Sequence, residues 1–216
     1  MRGSEKQIIN PVSTGGGGVI FETRVQALYV VLMLAGGFIP CFPDCAIKRI
    51  KLQGRYAGYN TDDLIVFVER LGDGQQQKLL GQIKLSIKIT RDNDFGEVIQ
   101  RAWMDYNSPE IFTRGKDCIA LITSSLSATD TGDVRGILEW ARSCENSGEF
   151  FTKVELANFS SQAKQRKLSV FRSHLKKANG DQEVPDEEIF QFLRHFYLLG
   201  YDLDTRAGVI LSLLHS

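Results

Sequence analysis

Residues able to do chemistry gather in one stretch of this chain, 59–90, which reads YNTDDLIVFVERLGDGQQQKLLGQIKLSIKIT. Two carboxylates, Asp62 and Asp63, lead straight into the apolar run Leu64–Val68. Gly72-Asp73-Gly74 then supplies a turn, and a second apolar run carries Gln82 and Lys84. Two short apolar runs around a glycine-containing turn predict a β-hairpin. Side chains two apart on a strand share a face, so Gln82 and Lys84 should project together. A normally closing hairpin sets them against the start of the first strand, where Asp63 sits. An acid, an amide carbonyl and an ammonium on one surface suit a divalent metal and a phosphodiester.

The elements that must position this group follow from periodicity. A polar leader, 1–18, ends in a glycine run. A helix over 20–34 comes next, apolar almost all round and therefore expected to be buried. Glu22, Gln26, Tyr29 and Met33 form one stripe on it. Glu22 has two readings: a metal ligand, or a carboxylate answering the helix dipole in the first turns. Gly36-Gly37 ends the helix. Residues 45–56 alternate as a strand, with Lys48, Lys51 and Arg55 as cations that either meet a phosphate backbone or guard a solvated edge.

After the hairpin, 94–106 predicts a helix with Phe95, Val98, Ile99, Ala102 and Trp103 on its apolar face, Asp94 as N-cap and Glu97 as capping-box partner. A buried-type strand over 117–123 and a helix over 134–143 follow. The order helix, strands, helix, strand, helix implies an α/β three-layer domain. From about residue 160 the chain turns basic and amphipathic (164–177). An acidic-ended helix then begins after Pro185 and carries Phe192, Phe196 and Leu199. An apolar helix is expected over 208–215, where the sequence reads either as a cut through a longer protein or as a terminus docked on the core. The domain division expected is a leader (1–18), a core (19–158) and a helical extension (159–216).

Bulk properties exclude several classes. Basic and acidic residues balance at 26 each, so no global basic footprint exists and nucleic-acid contact must rest on local patches. Cys41, Cys45, Cys118 and Cys144 have no zinc spacing and read as buried thiols of a reducing cytoplasm. The apolar run 25–39 is broken by Gln26 and the glycine pair, too short for a confident membrane span. No phosphate loop or dinucleotide fingerprint occurs.

Phe21-Glu22 and Val25 on a first helix, Gly58…Asp63-Leu64 opening a strand and Gln82-Ile83-Lys84 together resemble the PD-(D/E)XK nucleases. The nearest likeness is to the Mrr-like and CD-NTase-associated branch, known as N-terminal effectors fused to STAND ATPases in bacterial antiphage defence. Phe95…Ala102-Trp103…Asp105 and Phe192-Leu193…Tyr201-Asp202-Leu203 resemble the same group. The resemblance implies a restriction-endonuclease-like α/β/α core with a short mixed sheet and a C-terminal helical extension. It implies Asp63 as a direct metal ligand, Gln82 where many relatives carry Asp or Glu, Lys84 as the motif lysine and Glu22 as the first-helix acid. Asp62 ranks behind these, as a support or a second-metal ligand. The ion would be magnesium, with manganese able to substitute. The substrate would be double-stranded DNA, touched by Lys48, Lys51, Arg55, Lys88 and Arg91, with 164–177 as an outlying patch. A neutral domain binds DNA weakly alone, so activation by homo-oligomerisation, without a membrane, is expected. The rival reading is a non-catalytic nucleic-acid-binding or assembly module that keeps the fold.

Overall fold

The computed structural model describes residues 16–156 and 160–203. The hairpin forms as the sequence implies: β2 (Leu64–Arg70) pairs antiparallel with β3 (Gln76–Lys84). Gly72 and Gly74 turn the chain at φ 114° and 70°, values that a side chain would strain, and Asp73 accepts from the Gln75 amide at 3.0 Å. Strand β1 (Cys45–Leu52) adds antiparallel to β2, with a register shift between Ile47 and Arg49. On the other side, β4 (Cys118–Thr123) and β5 (Phe196–Gly200) run parallel to β3. The result is a five-stranded mixed sheet in the order β1-β2-β3-β4-β5, an α/β fold.

Alternation along the strands splits the core in two. Leu64, Val66, Leu79, Ala120 and Ile122 face α1 (Gly16–Leu34), meeting Phe21, Val25 and Tyr29. Ile65, Leu80, Ile119 and Leu121 face the other helices. These are α2 (Asn93–Tyr106), α3 (Gly136–Ser143), α4 (Ser147–Glu155), α5 (Gln162–Ala178) and α6 (Asp186–His195). A π-helical turn, Asp130–Arg135, leads into α3. Gly81 leaves little room between strands: a Cβ there would come within 3.1 Å of Ile122 Cδ1 and 3.2 Å of Leu64 O.

Several expectations are corrected. Helix α1 is not buried all round. Only the stripe of Gly17, Phe21, Val25 and Tyr29 is covered, while Val19, Ile20, Val31 and Leu34 are exposed. By length and composition α1 is apolar enough to cross a membrane, but here its stripe packs on the sheet. The N-cap of α2 is Asp92, which accepts from the Phe95 amide at 3.1 Å, rather than Asp94. Nothing was expected over 144–159, yet Asn146 caps α4, and Glu149 reaches back to the Glu145 amide at 2.8 Å. The helix after Pro185 stops at His195, and Phe196–Gly200 is a strand.

That strand moves the domain boundary. The 159–216 segment was expected to be an extension, but α5, α6 and β5 complete the sheet and its larger core. Phe171 meets Phe95 at a ring-centroid distance of 5.3 Å and Phe196 at 5.9 Å. The helix expected over 208–215 lies outside the described residues, as does most of the expected leader. If α5 belongs to the core, Phe171→Ala leaves a cavity and should cost about 3–5 kcal/mol in denaturant unfolding. A loss under 1 kcal/mol would return α5 to the status of an appendage.

Candidate active site

Register builds the site. Leu64 pairs with Gly81, so Asp63, one residue before β2, meets Gln82, one residue further along β3. The Asp63 Oδ2 accepts the backbone N–H of Ile83 at 2.6 Å and a hydrogen bond from Gln82 Nε2. An ionised carboxylate draws the amide nitrogen toward itself, which turns the carbonyl away. Gln82 Oε1 is consequently buried with no hydrogen-bond partner among the described residues. A buried amide oxygen left unpaired costs about 1–3 kcal/mol, and the cation sites of proteins use such oxygens.

Helix α1 brings Glu22 to the same place through Gln26. The Gln26 Nε2 donates to Glu22 Oε1 at 2.9 Å and to the backbone oxygen of Asp63 at 3.2 Å. Spacing of four along α1 lets one amide hold the acid and the strand start together. Lys84, two residues beyond Gln82 on the same strand face, has no hydrogen bond or ion pair among the described residues, and its charge reaches both carboxylates.

These groups are under electrostatic tension. Burial pushes the Glu22 carboxyl above its ordinary value, and the Asp63 charge pushes it further, against the Gln26 hydrogen bond. Burial likewise raises Asp63, opposed by the Ile83 N–H and reinforced by Asp62, with Lys84 and Arg101 pulling down. Two acids raised by burial and by negative neighbours form the environment that a cation would relieve.

The structure separates Asp62 from this pair. Its carboxylate lies 3.1 Å from Arg101 Nη1 and 3.8 Å from Arg55 Nε. Two guanidinium groups therefore lie against it, whereas no cation pairs with Asp63 among the described residues. Sequence reasoning did not single out Arg101, nor assign Asp105 a role. Asp105 is fully buried on α2 and accepts from Asn60 N (2.9 Å), Asn60 Nδ2 (2.8 Å) and Thr61 N (2.7 Å), pinning the loop that delivers Asp62 and Asp63. An acid among the apolar-face positions Ala102, Trp103 and Tyr106 was the available signal.

The expected phosphate contacts divide. Lys51, opposite Ile65, and Arg55, beside Asp62, stand at the Asp63 end of the sheet, and Lys88 and Arg91 follow β3 there. Lys48 is spent on Glu69 at 3.0 Å, further from the site. The outlying basic helix is largely neutralised within the fold. Lys164 pairs with Asp133 (3.4 Å), Lys167 with Asp130 (3.1 Å), Arg172 with Asp186 (2.6 Å), and Lys176 with Glu183.

No group of three or more His, Cys, Asp and Glu side chains placed to hold a metal occurs among the described residues. The arrangement is instead two carboxylates plus an unpaired amide oxygen. Carboxylate and amide oxygens are donors of the kind that hard cations take. Compared with protein-family models, with curated proteins and with solved structures, the chain finds no match in any of the three.

The tension has a measurable sign. An acid raised in the fold binds its proton more tightly there than when unfolded. Its stabilising share is greatest below the unfolded value, 4.5 for Glu22, and is lost as pH rises through the raised folded value. Glu22→Gln, which keeps an acceptor for Gln26, should therefore raise the melting temperature at pH 7 by about 1–3 °C and leave it unchanged near pH 3.5. A lower melting temperature at pH 7 would mean that Glu22 is a structural partner, not a strained one.

Proposed function

We propose that this chain is a metal-dependent DNA endonuclease domain with a restriction-endonuclease-like, PD-(D/E)XK core. The observation that carries the reading is the Gln82 Oε1, buried and unpaired among the described residues beside Asp63, with Glu22 joined to the Asp63 backbone oxygen through Gln26. Asp63, Gln82 and Glu22 would hold magnesium, or manganese in its place. When bound, such an ion lowers the pKa of a coordinated water and offsets charge developing on a phosphoryl oxygen.

The side chains then have distinct tasks. Asp63 and Glu22 neutralise the cation, and Gln82 adds an oxygen without adding charge. Lys84, which pairs with no acid among the described residues, would meet the scissile phosphate or orient the attacking water, placing fixed positive charge where negative charge grows. The Ile83 N–H keeps Asp63 oriented. Asp62, held by Arg55 and Arg101, keeps two guanidinium groups at the rim, where a DNA backbone would pass along with Lys51, Lys88 and Arg91.

The activity fits an effector that must be clustered. With 26 basic and 26 acidic residues, the chain has no net attraction for DNA, and much of the α5 charge is paired internally. Homo-oligomerisation through a fused STAND NTPase would raise the local concentration of phosphate-binding surfaces. This makes the domain an N-terminal effector of cytoplasmic antiviral defence, silent until assembled.

The test is cleavage of supercoiled and linear DNA by the chain, both alone and fused to a tetramerising tag, with magnesium, manganese or EDTA. Cutting should need the metal, and both Asp63→Ala and Lys84→Ala should reduce it at least about 100-fold. Metal-independent DNA retention without cutting, in the tetramer as well, would make the chain a non-catalytic binding or assembly module instead.

A further inference from the structure

A second polar cleft lies at the opposite end of the sheet from Asp63. It has a volume of about 650 Å³ and is bordered by the last residue of β2, the start of β3, the first residue of β4 and the C-terminal ends of α3 and α6. That volume falls within the range typical of small-ligand pockets. Gln77 on its wall and Lys84 in the candidate active site lie seven residues apart on one strand, roughly 23 Å. One phosphate cannot serve both places.

Cations outnumber acids in the cleft wall. Arg70, Arg114, Lys116, Arg142 and Arg194 line it, against Asp44 and Asp117. Asp117 is already committed, to Lys78 Nζ at 3.0 Å and to the amides of Lys78 and Thr113. Asp44 stands 3.5 Å from Arg70, and Arg114 pairs with Glu188 at 3.1 Å. Lys116, Arg142 and Arg194 form no ion pair among the described residues. Arg142 is braced instead by the Phe196 carbonyl (3.0 Å) and the Tyr197 ring (4.1 Å), and Arg194 by the Phe190 ring (5.3 Å).

Two neutral groups complete the wall. The Tyr106 hydroxyl is buried without a hydrogen-bond partner among the described residues, and its pKa is pushed up to about 12 by burial, so it stays protonated at neutral pH. His195 is spent on the fold: Nδ1 meets the Asp117 carbonyl at 2.9 Å, and Nε2 accepts from the Gly115 amide at 3.2 Å. Burial lowers its pKa, so it adds a neutral ring and no charge.

We propose that this cleft binds the phosphate groups of a small, nucleotide-sized phosphorylated molecule, at a site separate from the one around Asp63. Arginine forks match phosphate oxygens in pairs, and three of the cations lining the cleft have no carboxylate partner among the described residues. A lone carboxylate would use only part of that charge. The assignment does not depend on the nuclease reading.

Isothermal titration of the full chain with pyrophosphate, ADP and a 12-base-pair duplex, in EDTA, tests it. Pyrophosphate or ADP should bind in the micromolar to submillimolar range. Arg142→Gln should weaken binding at least tenfold. Because Arg142 also braces Phe196, the double variant Lys116→Gln/Arg194→Gln, which touches no backbone contact, should show the same loss. Asp63→Ala should bind as the parent does. Absence of binding by both small probes, binding unchanged in the double variant, or displacement of pyrophosphate by the duplex would each overturn the proposal.

Discussion

The hydrogen bond from the Ile83 amide to the Asp63 carboxylate is the interaction on which the rest of the site depends. It exists only because β2 and β3 close in one register, Leu64 against Gly81, with a turn that two glycines make possible. A slip of one residue would carry Gln82 and Lys84 to the other face of the sheet and separate them from Asp63. Gly81 guards that register, since a side chain there would strike Ile122 and the Leu64 carbonyl.

Once Asp63 is fixed, its surroundings follow as compensations that stop short of full neutralisation. Asp105 pins the preceding loop, and Arg55 and Arg101 occupy Asp62. Gln26 ties Glu22 to the strand start. Yet burial still raises both Glu22 and Asp63, and one buried amide oxygen stays unpaired. Natural cores rarely leave such a group idle. The structure satisfies Asp105 three times over while leaving Gln82 half-satisfied beside Asp63.

Much of this was legible in the sequence, and the reasons are specific. The hairpin announces itself by two apolar runs and a Gly-Asp-Gly turn, so the meeting of Asp63 with Gln82 could be read before any coordinates. The α/β class followed from the order of periodic segments. Strand β5 was not legible because Phe192, Phe196 and Leu199 fit a helical stripe as well as a short buried strand; only pairing with β4 decides between them. The exposed side of α1 was hidden for a related reason: an all-apolar helix does not say which side meets the sheet. The neutralised charge on α5 depends on Asp130 and Asp133, distant in sequence and adjacent only in the fold. The cationic cleft was equally invisible, since its arginines come from β2, α3, α6 and a loop.

The claim that Asp63, Gln82 and Glu22 form a cation site is tested most directly by anomalous diffraction from crystals grown in millimolar manganese. The account predicts one anomalous peak within coordination distance of an Asp63 carboxylate oxygen and Gln82 Oε1, with the Gln82 amide released from its hydrogen bond to Asp63. A manganese-containing crystal in which that hydrogen bond persists, with no peak between the two side chains, would contradict it.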